Sequence, residues 1–175
     1  VTRLLTFQLR LWSGQYLLDA QPVIGTGWAV PAEVRRKVGL VLQSPRAAAD
    51  PRMRLRAAIT EPLRTLPRAA RPNPDLAEHR LARAIKLAAF SPELLDRLPA
   101  EVSEGQLARA MLARAIFAEP RYLVCDEPTA SVDSATALTI HRALADVADS
   151  GVGVLGVSHH EADLVNWADR VLRLG

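Results

Sequence analysis

Asp126 and Glu127 follow directly on the apolar run Tyr122-Leu123-Val124-Cys125. Such a run reads as a buried strand, and in open parallel sheets ligands gather at the carboxyl ends of strands. Adjacent acids there suit metal and phosphate chemistry. Asp126 can hold a magnesium ion, partly through water, because magnesium gives up its hydration shell reluctantly. Glu127 can orient or deprotonate a water for attack on a phosphoryl group. Taken alone, the pair reads better as solvated acids ahead of the Pro128-Thr129 turn, and the flanking motifs reverse that preference.

Ser103-Glu104-Gly105-Gln106 opens an Ala-rich segment of helical periodicity. Ser103 with Gln106 makes a capping box, and the same free amides and helix dipole are suited to a phosphate. A cap and an anion site are compatible. Gln43 ends a second apolar run, where its amide could ligate magnesium or touch a γ-phosphate; an ordinary loop glutamine is the alternative. His159 follows a third run, Val152–Val157, where an imidazole could meet both a terminal phosphate and Glu127. Its neighbour His160 reads as a surface residue at a helix start. Asp133 either caps the helix beginning at Ser134 or reaches a partner subunit.

These residues need strands with a common direction. Runs at Val38–Leu42, Tyr122–Cys125 and Val152–Val157 read as buried strands, with a last one at Arg170–Leu174 and a short one over Gly14–Ala20. Between them, Ala32–Lys37, Ser103–Ala118, Ser134–Ala148 and Glu161–Ala168 read as helices, and Val1–Leu11 as the end of one. Pro22–Pro31 is loop. Alternating strands and helices imply a mostly parallel sheet covered on both faces. Residues Asp50 to Ala113 break that alternation. They read as an inserted helical subdomain with one clear amphipathic helix, Asp75–Ala89, between proline-rich surface stretches. The expected organisation is one α/β domain, with core residues 1–49 and 114–175 and helical subdomain 50–113.

With 175 residues, 49% of them hydrophobic, the chain can bury a sizeable core. Its +3 charge is almost wholly arginine, scattered rather than blocked, and aromatics make up 5%, so no nucleic-acid groove is expected. The single cysteine, Cys125, allows no internal disulfide and favours a reducing compartment. No apolar run approaches membrane-spanning length, and the N-terminus lacks a signal-peptide layout. Trp12, Trp28 and Trp167 read as packing residues.

The ordered set VLQ (41–43), VSEGQ (102–106), LVCDEP (123–128), ASVD (130–133) and SHH (158–160) resembles the ABC-type ATP-binding cassette over nearly the whole chain. The resemblance implies a P-loop NTPase-like (RecA-like) core with an inserted helical subdomain, and ATP with magnesium as cofactors. It matches Gln43 to the Q-loop glutamine and Ser103, Gly105 and Gln106 to the LSGGQ signature. Asp126 matches the Walker B magnesium-site aspartate, Glu127 the catalytic glutamate, Asp133 the D-loop aspartate and His159 the switch histidine. It further implies head-to-tail pairing with a second ATPase subunit, docking on transmembrane permease subunits, and a place on the inner face of the cell membrane. SPRAAADPRM and AITEPLRTL are similar to the cassettes of oligopeptide, dipeptide and nickel importers.

There are departures. Nothing matches G-x-x-x-x-G-K-[ST] or the adenine-stacking aromatic ahead of it, and the opening twenty residues resemble what normally follows that loop. The chain is therefore expected to start just downstream of it. Glu104 stands where the signature has glycine, and His160 where an aspartate is usual. An ATPase subunit of an importer is the leading expectation. The alternative is a non-catalytic cassette that lends only VSEGQ to an intact partner. A DNA-repair or chromosome-organising relative is disfavoured, because no heptads or Cys pairs lie between Gln43 and Ser103.

Overall fold

The computed structural model describes residues 16–24, 29–159, 164–165 and 167–173. Its centre is a three-stranded parallel sheet of β3 (Val38–Val41), β4 (Tyr122–Asp126) and β5 (Gly153–Val157), with β4 in the middle. Val38 lies beside Tyr122 and Val41 beside Cys125, while Tyr122 lies beside Gly153 and Asp126 beside Val157. Because side chains alternate along a strand, this register lines Val41, Leu123, Cys125 and Val154 on one face. The first three are buried in the core cluster and Val154 packs against it. Leu155, on the opposite face, is 42% exposed.

Ahead of the sheet, β1 (Leu17–Leu18) and β2 (Gln21–Pro22) form a minimal hairpin. Its two central residues, Asp19 and Ala20, take φ of 53° and 60°, as a two-residue hairpin turn that matches strand twist requires. Neither is glycine, so the turn is held from outside. The Asp19 carboxylate accepts hydrogen bonds from Lys37 Nζ and Tyr122 Oη, each at 2.7 Å, and pairs with Arg121. The bond from Lys37, followed by that from Tyr122, holds the Asp19 carboxyl below its usual range.

The helices described in full are α1 (Ala32–Arg36), α2 (Pro45–Ala48), α3 (Leu55–Thr60), α4 (Pro74–Leu87), α5 (Glu104–Phe117) and α6 (Ser134–Asp149), with short 3-10 turns between some of them. Asn73 caps α4 by accepting from the Leu76 N–H, and Pro74 occupies the first helical position, where a missing N–H costs nothing. The helix buries Leu81, Ala84 and Ile85, but Leu76 stays exposed.

α5 is expected to bury one stripe through Leu107, Met111 and Ala115. It is instead buried nearly all round, with Leu107, Ala108, Ala110, Met111, Leu112, Ala113, Ile116 and Phe117 all in the core. It contacts α2, α3, α4, α6 and β3. The alanines explain how so many neighbours fit, since a small side chain lets a second helix approach on each side. One continuous apolar cluster runs from Val41 through α3, α4 and α5 to Val147 of α6.

Two expectations meet the structure differently. Residues 170–173 of the anticipated last strand are irregular and exposed, because no neighbouring strand supplies hydrogen-bond partners among the described residues. Of the anticipated helix at Glu161–Ala168, residues 164 and 165 are helical, whereas 160–163 and 166 lie outside the described residues. Val1–Leu11, Trp12, Trp28, His160 and Leu174 also lie outside them. Trp167 packs as anticipated: its ring stacks on buried His141 at a centroid distance of 6.3 Å. Among the described residues no helix is long and apolar enough to cross a membrane.

Candidate functional site

Since β3, β4 and β5 are parallel neighbours, their carboxyl ends share one edge of the sheet. Gln43 lies two residues past β3, Asp126 closes β4, and Ser158 and His159 follow β5. The sheet thus gathers four of the expected residues, Gln43, Asp126, Glu127 and His159, at one rim.

The chain turns sharply at Glu127. Its φ is 49°, in the left-handed region that costs a non-glycine residue steric strain, and its N–H donates to Val157 O at 2.8 Å. That bond carries the backbone toward β5 and the side chain with it. Glu127 Oε1 accepts from the His159 N–H at 2.8 Å and sits 2.5 Å from His159 Nδ1. Oε2 accepts from Ser158 Oγ at 3.3 Å. The carboxylate is 15% exposed and the imidazole 63%, so an inner acid is held by an outer ring.

Burial by itself would raise the Glu127 pKa. The hydrogen bonds from the His159 ring and N–H, the charge of that ring and the Ser158 hydroxyl together outweigh burial, and the carboxyl titrates below its ordinary value. Because the folded pKa is depressed, the stability this brings is present above the unfolded value of 4.5 and lost as pH falls through the folded pKa. His159→Ala removes the ring hydrogen bond and the ring charge that help lower it, and keeps the N–H and the Ser158 hydroxyl. That variant is expected to lose less stability than the parent between about pH 6 and about pH 3, read from urea midpoints. A parallel loss in the two proteins would contradict the coupling.

Asp126 is half-buried at the end of β4, and its side chain makes no hydrogen bond or ion pair among the described residues. A carboxylate with an amide oxygen, completed by water, would suit magnesium, which keeps part of its hydration shell. No group of three or more His, Cys, Asp or Glu residues capable of holding a metal occurs among the described residues. Cys125, one position earlier, is wholly buried, and desolvation pushes its thiol up to about 12, so it packs and does not react.

A second cluster forms at the start of α5. Ser103 Oγ accepts from the Gln106 N–H at 3.2 Å, and Gln106 Oε1 accepts from the Ser103 N–H at 2.9 Å, completing the capping box. Gly105 is buried against α6, and a Cβ built there would stand 2.5 Å from Thr136 Cγ2. Thr136 in turn donates its hydroxyl to Asp133 Oδ2 at 2.7 Å, while Asp133 Oδ1 accepts from the Ala135 and Thr136 N–H groups. Asp133 is therefore the N-cap of α6, and the Thr136 bonds, side chain before backbone, hold its carboxyl below the usual range. Thr136 joins the Asp133 turn to the Ser103–Gln106 turn. Sequence reading missed it, since its position inside α6 carries no motif.

The order of these residues and the parallel sheet are matched by known proteins. A family model described as ABC transporter covers residues 1–130. The chain belongs to the ABC transporter family. It is 32% identical to the oligopeptide transport ATP-binding protein OppF of Escherichia coli K12, over 92% of this chain and 46% of that protein. It is 32% identical to the nickel import ATP-binding protein NikE of Brucella abortus, over 98% of this chain and 64% of that protein. The chain thus spans about half to two thirds of the length of these curated relatives.

Among solved structures, the fold matches cbiO1 of Clostridium perfringens, part of the ABC transporter complex cbiONQ. That match has a TM-score of 0.78 and 22% identity, and covers 90% of this chain and 61% of that one. It also matches a dimeric ATP-binding cassette bound to ADP and Pi in a post-hydrolysis state, with a TM-score of 0.75 and 23% identity, over 93% and 69% of the two chains. The architecture is that of an ABC cassette, a P-loop NTPase-like α/β fold. In this cassette the rim of the sheet carries the acids, and the start of α5 carries the signature-like turn.

Proposed function

We propose that this cassette forms part of the ATP-hydrolysing subunit of an importer, energising uptake of peptides, nickel or a related small solute. The supporting observation is the Glu127 carboxylate, held at the rim by Ser158 and His159 beside an unpaired Asp126. That the curated relatives at about one-third identity are oligopeptide and nickel transport ATP-binding proteins supports the solute class.

In this reading Asp126 and Gln43 would hold magnesium, which would supply charge neutralisation to the phosphates. Glu127 accepts a hydrogen bond from the attacking water and aligns it with the γ-phosphorus. Its part is to orient that water and to take up its proton as the bond to phosphorus forms. His159 fixes the carboxylate through Nδ1 and its N–H, and its imidazole would hydrogen-bond the terminal phosphate. Ser103, Gly105 and Gln106 close on ATP held by a second cassette, with Asp133 near that junction. Permease subunits carry the solute path and hold the protein at the inner membrane face.

The test is phosphate release from ATP by the complete gene product, with and without magnesium. Magnesium-dependent release is expected. ATP that is bound but never hydrolysed would favour a non-catalytic cassette instead.

A further inference from the structure

The signature-like turn carries a glutamate where an anion is to approach. Glu104 is the first residue of α5, next to the amides that a helix start leaves without intrahelical partners. A carboxylate there is good for the helix, since it faces the positive end of the dipole, but it repels any phosphate drawn to the same amides.

The carboxylate is not left free. Arg46 Nε pairs with Glu104 Oε2 at 2.7 Å. The same guanidinium donates from Nη1 to Pro99 O at 3.1 Å and from Nη2 to Val102 O at 3.3 Å. All three nitrogens of one side chain therefore grip the segment leading into α5. Arg46 sits in α2, which Ser44 caps directly after Gln43. The far end of α2 is gripped too: Arg114 of α5 donates to Ala48 O at 3.3 Å and pairs with Glu61 at 2.7 Å. The segment that follows Gln43 is thus fastened to α5 at two places, nearly three helical turns apart.

We propose that Arg46 is a positioning residue for the Ser103–Gln106 turn. It draws the Glu104 carboxylate onto α2, cancels its charge, and so lets a turn bearing glutamate receive a polyphosphate. Through the same contacts it ties the position of that turn to the Gln43 segment. The proposal rests on the function proposed above for the part that concerns nucleotide. The tethering of the turn stands independently of it.

The test compares Arg46→Met, Glu104→Gly and the double variant in the complete gene product, with two readouts. Amide hydrogen exchange without nucleotide reports the tether. Exchange over residues 100–106 is expected to quicken at least about fivefold in both Arg46→Met proteins while the core of α4 is unchanged. The dependence of phosphate release on ATP reports the charge. Arg46→Met is expected to raise KM about tenfold with kcat little altered, because an uncompensated carboxylate repels the incoming anion. Glu104→Gly leaves the arginine charge in place and lowers KM. The double variant returns KM to within about twofold of the parent, which a purely structural role of Arg46 would not allow.

Unchanged exchange in Arg46→Met overturns the tether. A KM in the double variant as high as in Arg46→Met alone overturns the charge compensation. Faster exchange with no ATP hydrolysis in any variant, the parent included, supports the tether and overturns the function proposed for the site.

Discussion

Glu127→Gln in the complete gene product is expected to lower ATP turnover at least about 100-fold while leaving ATP binding within about threefold of the parent. Glutamine keeps the shape of the side chain, and its amide oxygen can still accept from the His159 N–H and ring where Oε1 now does. It also keeps a side chain at a residue whose φ of 49° is set by the bond from its N–H to Val157 O, so the turn survives. What it loses is the negative charge that, in the proposed role, polarises the attacking water. A deficit confined to kcat marks an interaction made in the transition state, whereas a raised KM would mark one made with bound ATP. Turnover within about threefold of the parent would remove Glu127 from the proposed chemistry.

Gly105→Ala is expected to destabilise the fold by about 1–3 kcal/mol, as overpacking of a filled site does. The new methyl would lie 2.5 Å from Thr136 Cγ2 and 3.1 Å from its Oγ1. Thr136 has little room to yield. Its β-branched side chain has few rotamers in a helix, and its hydroxyl is already committed to Asp133 at 2.7 Å. Thr136→Ser removes the clashing methyl but keeps that hydroxyl, so the double variant Gly105→Ala, Thr136→Ser should regain most of the loss in urea unfolding. If Gly105→Ala is neutral, or if the serine fails to rescue it, the contact between α5 and α6 is not the close one described. Since Thr136 links the two turns, the same pair of variants reports whether the Asp133 and Ser103–Gln106 turns are set by each other.

Much of the site was legible because its residues are marked by local patterns. A Ser-x-x-Gln before a periodic segment writes its own cap, and the structure shows both bonds of that box. Asp133 ahead of Ser134 likewise signals the N-cap that is found. Apolar runs ending in polar residues placed Gln43, Asp126 and His159 at strand ends, and parallel pairing then brings those ends together.

What was not legible depends on residues far apart in the chain. The grip of Arg46 on Pro99, Val102 and Glu104 crosses more than fifty positions and has no periodicity to announce it. The left-handed residues Asp19, Ala20 and Glu127 carry none of the glycine that usually marks such turns. Their conformations are imposed by Lys37 and Tyr122 in one case and by Val157 in the other. The strand anticipated at Arg170–Leu174 shows the opposite error. An apolar alternation was present, but a strand exists only where a neighbour pairs with it, and none does among the described residues.

The central claim is that the rim joining Asp126, Glu127 and His159 hydrolyses a phosphoanhydride. Its most direct test is a single-turnover measurement on the complete gene product, following magnesium-dependent phosphate release from prebound ATP in the parent and in Asp126→Asn. The parent is expected to release phosphate at a rate that falls at least about 100-fold on removing magnesium or the Asp126 carboxylate. Release at an equal rate in the two proteins, or no release from ATP that is demonstrably bound to the parent, would contradict it.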